Sequence, residues 1–196
     1  MESDPHEHDA DLAQDGVLKP FLEHLEDLRW MLIKMIVALG AAMILSFFFA
    51  AELMDVMIRP LARVTDNPED FLRTLQVTGG FTLAMKLAFY AGIVLSAPVL
   101  MYFLGQFLLP ALTEREKRLL RPSFVGGAGL FIAGVALAYF VVIPAGLKFF
   151  IEFNNDLGIR SEWTINSYTG FVSQMMLAFG ICFELPLVIL ILADRK

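Results

Sequence analysis

The stretch YTGFVSQMMLAFGICFELPLVILILA, residues 168–193, is apolar almost throughout and long enough to cross a bilayer, which points to a membrane-spanning helix. A spanning helix needs roughly 20 such residues. Across 163–193 the only ionisable carboxylate is Glu184, in Phe183-Glu184-Leu185-Pro186. Pro186 removes a backbone N–H and frees a carbonyl one turn back, which lipid cannot satisfy. A charge at the centre of a spanning helix costs about 2.5–3.5 kcal/mol on insertion scales, and such residues face protein or water. The pattern therefore predicts a spanning helix with one protein-facing or water-facing side, and Glu184 is a candidate intramembrane polar site.

Working outward, residues 30–51, 80–109 and 122–144 are also apolar and long enough to span. Hydrophobic residues make up 57% of the chain, and the mean hydropathy is +0.64. A soluble domain carries about 45–50% apolar residues. The expected fold is an all-α polytopic membrane helix bundle with four transmembrane helices in this chain. The net charge of −6 does not point to nucleic acid, because Glu2, Asp4, Glu7, Asp9, Asp11 and Asp15 gather in an N-terminal tail. That tail, residues 1–19, has no basic n-region or apolar h-region and reads as a disordered acidic arm, not a cleavable signal. Residues 20–193 form the membrane domain.

Residues 20–29 read as a helix whose apolar stripe is Leu18, Leu22, Leu25, Leu28 and Leu32, at spacings of three or four. This N-terminal amphipathic interfacial helix should lie at the membrane surface, with Trp30 as an anchor. Orientation follows the basic residues near span ends. The link 110–121 carries Arg115, Lys117, Arg118 and Arg121, whereas the longer links carry Arg59, Arg63 and Arg73, and Lys148 and Arg160. With Lys19, Arg29, Lys34, Arg195 and Lys196, this places both termini on the cytoplasmic side.

Three prolines besides Pro186 punctuate the spans: Pro98 should bend the second, Pro110 end it, and Pro144 end the third. Gly126, Gly127, Gly129, Ala133, Gly134 and Ala138 form a small-residue face suited to helix packing. Cys182 is the only cysteine, which excludes an internal disulfide and a thiolate cluster. Within a span it reads as a buried, inert thiol. His6 and His8 sit in the flexible tail without further ligands, and His24 reads as a solvated surface residue, so no metal or cofactor is expected.

Two acids flank the cytoplasmic interface: Asp27 at the base of the first span and Glu116 in the short basic link. Carboxylates at headgroup depth suit capture of guanidinium groups, whose planar fork they bind bidentately; lysine cannot reproduce that geometry. A plainer use is a solvated face for Asp27 and pairing with Arg115 or Lys117 for Glu116. Lys86 opens the second span and either snorkels to headgroups or pairs with a carboxylate in the bundle. No phosphate loop, nucleophile elbow or nucleophile–base pair is visible, so an enzyme is not expected. An ion-coupled small-solute transporter using Glu184 and Lys86 is an alternative, although the chain lacks the internal repeats usual in that class.

Taken together, the motifs resemble one family. His24-Leu25-Glu26-Asp27-Leu28-Arg29 resembles the entry to the first span of TatC, the receptor subunit of the twin-arginine protein translocase. Phe81 with Met85-Lys86-Leu87 is similar to that family's second-span start. Leu95-Ser96-Ala97-Pro98, Phe107, Pro110-Ala111-Leu112 and Glu116 match its second span and first cytoplasmic loop. Ala138-Tyr139-Phe140-Val141-Val142-Ile143-Pro144 and Ala178-Phe179-Gly180 with Phe183-Glu184-Leu185-Pro186 match the third and fourth spans. The resemblance implies a cell inner membrane receptor and scaffold in Sec-independent export. It would bind twin-arginine signal peptides of folded cargo and assemble an oligomeric complex with TatA- and TatB-type single-span subunits in membrane lipid, driven by the proton-motive force. It implies signal-peptide binding at Asp27, Arg29 and Glu116, and polar intramembrane roles for Lys86 and Glu184. Departures are Asp27 where the family usually has glutamate, Tyr102-Phe103-Leu104-Gly105 for its Tyr-Gln-x-Trp, and Thr78-Gly79-Gly80 before Phe81. The family has six spans, so the chain reads as a member shortened after its fourth, with a non-functional fragment as a further alternative.

Overall fold

The computed structural model of the chain describes the backbone of residues 5–65, 67–108 and 114–193, and side-chain surroundings within 25–65, 67–68, 71–107, 126–186 and at 189. Helix α1 spans Pro5–Phe48, and α2 follows over Ala50–Ala62 after a break at Phe49. The short α3 (Pro68–Phe71) leads into strand β1 (Leu72–Arg73), and α4 covers Gly79–Leu108. Helix α5 (Glu114–Leu137) runs through a π-helical turn (Ala138–Val142) into α6 (Ile143–Asp156). Strand β2 (Trp163–Thr164) precedes α7 (Ile165–Ala193). Among the described residues, four helical stretches are long and apolar enough to cross a membrane: Leu25–Phe48, Gly79–Phe107, Gly126–Asp156 and Ile165–Pro186.

Two features differ from the sequence expectation. The amphipathic piece at 20–29 runs into the first span within α1, but the 44 residues of that helix also reach back through the acidic stretch expected to be disordered. Lengthening an existing helix adds a hydrogen bond per residue without a new nucleation cost. The third span, in turn, does not end at Pro144. The Ile143 N–H reaches back five residues to the Ala138 carbonyl, so the chain widens by one residue just before the proline. Pro144 then lies in the first turn of α6, where its missing N–H and fixed φ fit. Pro98 and Pro186 likewise lie inside α4 and α7 without ending them. In the turn that Pro98 disturbs, buried Ser96 donates to the Ile93 carbonyl at 3.2 Å. Pro110 falls outside the described residues.

The links between α1 and α4 and between α6 and α7 meet at one end of the bundle, the cap end. There β1 and β2 pair in parallel, Leu72 beside Trp163 and Arg73 beside Thr164. Arg73 Nε lies 3.5 Å from Glu162 Oε2, an exposed pair worth about 0–1 kcal/mol. The main buried cluster lies beneath this cap: Met57 and Leu61 of α2, Leu83 and Leu87 of α4, Ile143 and Leu147 of α6, and Tyr168 and Val172 of α7. Pro60, inside α2, lacks the N–H that would bond the Val56 carbonyl. Tyr139 Oη donates to that carbonyl at 2.7 Å, and Tyr168 Oη donates to the next one, of Met57, also at 2.7 Å. Two hydroxyls from other helices thus satisfy the backbone where the proline disturbs it, and tie α2 to the bundle.

Toward the other end, helix pairing rests on small residues, because lipid tails are as apolar as leucine and burial alone does not favour a protein neighbour. A Cβ on Gly134 of α5 would meet the Phe179 carbonyl oxygen at 2.6 Å, and one on Gly180 of α7 would meet the Phe131 ring at 2.7 Å. The small-residue face is split by this contact: Gly127, Gly134 and Ala138 are buried, whereas Gly126, Gly129 and Ala133 point outward. Helix α1 packs chiefly along α4, and only 6% of its span is buried.

Candidate functional site

The register of α1 on α4 places the interfacial acids. The two helices run antiparallel, and a Cβ on Gly92 would meet Met43 Cγ at 2.6 Å. Sixteen residues back from Met43 along α1 is Asp27, and sixteen on from Gly92 along α4 is Leu108, where α4 ends. Asp27 is therefore level with the end of α4, across a short link from the start of α5, which carries Glu116 in its first turn. Asp27 and Arg29 are both exposed, as is the Trp30 anchor. Neither Asp27 nor Arg29 takes part in an ion pair among the described residues. The side chains of Glu116 and His24 lie outside the described residues. At the same end Gln106 Nε2 donates to Tyr102 Oη at 2.9 Å on the exposed face of α4. This polar pair was not singled out from the sequence, although its i, i+4 spacing in an apolar helix is the signal that would have found it.

Glu184 sits on the face of α7 that meets α5, one turn beyond Gly180. Both its carboxylate oxygens are enclosed, and neither has a hydrogen-bond partner among the described residues. An ionised carboxylate held this way is expensive unless a proton or a partner answers it. Lys86 is not that partner: it is exposed and enters no ion pair among the described residues. It lines instead a groove of 370 Å³ between α4 and α7, with Tyr90, Asn166 and Gln174. The intramembrane pair suggested by composition is thus two separate sites on α7, Glu184 against α5 and the Lys86 groove against α4. Asn166, Gly170 and Gln174 recur at i, i+4 and i+8, a polar face that the sequence displayed and that was passed over.

Cys182 is exposed, not buried. It lies two residues from both Gly180 and Glu184, so the helical period turns it away from the α5 contact. Among the described residues no group of three or more His, Cys, Asp or Glu comes together that could hold a metal ion. Among the described side chains, the geometry offers the exposed carboxylate of Asp27 at one end of the bundle and separate polar groups along α4 and α7. Such an arrangement can bind and orient a cationic or amphipathic segment.

Comparison with known proteins bears on the family and the fold. Residues 23–195 match the family described as TatC, Sec-independent protein translocase protein. The chain is 47% identical over 110 residues to a Sec-independent protein translocase protein TatC of Akkermansia muciniphila, covering 56% of this chain and 32% of that protein. It is 34% identical to the protein of the same description from Desulforapulum autotrophicum, covering 93% of this chain and 67% of that one. The corresponding protein of Synechocystis sp. is 33% identical, with 93% of this chain and 69% of the relative covered. The chain thus spans about a third of the first of these relatives and about two thirds of the other two. A crystal structure of a twin-arginine translocase receptor, TatC, in DDM superposes with a TM-score of 0.77 at 32% identity, covering 87% of this chain and 76% of that one.

Proposed function

This chain belongs to the TatC family of Sec-independent protein translocase subunits, and from that premise we propose that it is the receptor that binds signal peptides bearing two consecutive arginines. It is a multi-pass membrane protein of a family whose members are transport components, not enzymes. The observation that carries the reading is the α1–α4 register, which brings Asp27 level with the link into α5 and its Glu116. Exposed and unpaired with any described cation, Asp27 is open to a guanidinium group from outside the chain. A carboxylate engages arginine through two parallel hydrogen bonds and lysine through a point charge, so two acids at one interface favour an arginine pair over a lysine pair. Arg29, beside Asp27, helps to set the local charge. Asp27 is one methylene shorter than a glutamate, so the peptide must approach α1 closely.

The remainder of the reading follows the family. The receptor end faces the cytoplasm, both termini lie on that side, and the chain sits in the cell inner membrane. Folded cargo is passed on with TatA- and TatB-type single-span partners in an oligomeric complex driven by the proton-motive force. Glu184 serves this process as a polar group within the bundle.

The test is peptide binding to the full chain in membranes, read by photo-crosslinking from a twin-arginine signal peptide beside a twin-lysine control. Crosslinks near Asp27 and Glu116 are expected with the arginine peptide alone. Glu116→Ala should weaken arginine-peptide binding by about 1.5–3 kcal/mol, the range for a hydrogen bond to a charged group, and lysine-peptide binding much less. Equal losses for the two peptides, or no selective crosslink from an inserted chain, would overturn the reading.

A further inference from the structure

The groove between α4 and α7 near the cap end is a built polar site that the receptor reading leaves unused. Its volume is 370 Å³, at the lower end of the ~300–1,000 Å³ usual for ligand pockets. Lys86 supplies a positive charge with no counter-charge among the described residues. The phenol of Tyr90 and the amide of Gln174 enter no hydrogen bond among the described residues. The Ser167 hydroxyl accepts from Thr164 Oγ1 at 2.7 Å, which leaves its own hydrogen free to point into the groove. The first turn of the long helix α7 adds the positive end of its dipole.

These groups ask for a particular occupant. Lys86, Tyr90, Ser167 and Gln174 together call for an anion with several acceptor oxygens. A carboxylate from a neighbouring helix would offer these donors two oxygens. A phosphate diester offers four. The position fits a lipid as its source: Lys86 lies seven residues into α4 from Gly79, about 10 Å along the axis. Asn166 opens α7 beneath the cap loops, so the groove stands at the border between headgroups and hydrocarbon. Met85, Phe89 and Leu95 on α4 are exposed for acyl chains to lie against.

We infer that this groove is a specific site for an anionic glycerophospholipid headgroup, with Lys86, Tyr90, Ser167 and Gln174 holding the phosphate. This inference stands apart from signal-peptide binding, which uses the other end of the bundle.

The full chain, reconstituted in vesicles of equal parts phosphatidylglycerol and phosphatidylcholine and released into mild detergent, is examined by native mass spectrometry for retained lipid. Both lipids carry a phosphate, but only phosphatidylglycerol is net anionic, because choline offsets the charge in phosphatidylcholine. The wild type should retain phosphatidylglycerol preferentially. Lys86→Gln should lower that retention about tenfold, the loss of one charge-assisted hydrogen bond. Lys148→Gln should change nothing, because Lys148 lies outside the groove and pairs with Glu152 at 3.8 Å. Lys86 is exposed and pairs with no acid among the described residues, so its variant should fold; Gln174→Ala, expected to lower retention in the same direction, is a second reading of the site. Equal retention by wild type and Lys86→Gln, or equal retention of the two lipids by the wild type, would overturn the proposal. Displacement of the lipid by millimolar inorganic phosphate would also overturn it, by making the groove a site for the free anion.

Discussion

Glu184 carries two enclosed carboxylate oxygens with no partner among the described residues, in a helix otherwise made for lipid. Leaving such a group unanswered costs about 1–3 kcal/mol or more, so Glu184→Leu should stabilise the bundle by at least about 1 kcal/mol in detergent. If Glu184 serves transport, the same change should depress export. A destabilised Glu184→Leu protein would mean that the carboxylate already has a structural partner. Tyr168 presents the opposite case. Its hydroxyl is the donor to the Met57 carbonyl beside Pro60, at 2.7 Å in a buried setting. Tyr168→Phe removes only that oxygen, and the loss should be about 1–3 kcal/mol of unfolding free energy. Tyr139→Phe acts on the adjacent carbonyl of the same helix, so the double variant should depart from additivity. An unchanged stability for both single variants would refute the claim that these hydroxyls hold α2.

Between elements, the α5–α7 contact rests on which glycine faces which ring. Gly134→Ala places a methyl 2.6 Å from the Phe179 carbonyl oxygen, a backbone atom that cannot swing aside, and should cost about 1–3 kcal/mol. Gly129→Ala is the matched control, since a Cβ there meets nothing within 4 Å. It should be neutral or stabilising by up to about 1 kcal/mol, because alanine is the better helix former. Comparing the two melting midpoints in one detergent separates packing from propensity. Equal shifts would show that α5 and α7 do not meet as described. The π-helical turn before Pro144 belongs to this scale too: one extra residue per turn lets the span continue into α6 and carries Lys148 and Asn154 to the cap end.

At the scale of the molecule, the two noncontiguous links form one cap, and the acids at Asp27 and Glu116 lie at the opposite end. The orientation proposed above makes a direct prediction. In a Cys182→Ser background, a cysteine at Ser161 should react with a membrane-impermeant thiol reagent added outside intact cells. A cysteine at Thr113, in the link between α4 and α5, should react only after the membrane is opened. The reverse pattern would invert the topology and remove the proposed receptor end from the cytoplasm.

Much of this was legible in the residues themselves. Run length and hydropathy predict the four spans, because a bilayer imposes a length on any helix that crosses it and forbids unpaired backbone within it. Asp27, Glu116, Lys86 and Glu184 stand out for the same reason: each is a charge in or beside an apolar run, and its cost can be read without knowing its neighbours. Run length and charge alone account for four long apolar helices and for where the costly groups lie. The rotation and alignment of each helix against the next come from packing. It turned Gly134 inward and Gly129 outward, brought Tyr139 and Tyr168 to the carbonyls beside Pro60, and set Lys86 beside Asn166 while Glu184 turned to α5. The physical reason is that lipid and protein are equally apolar neighbours for a leucine. Hydropathy therefore leaves rotation open, and steric fit and a few hydrogen bonds between distant segments decide it.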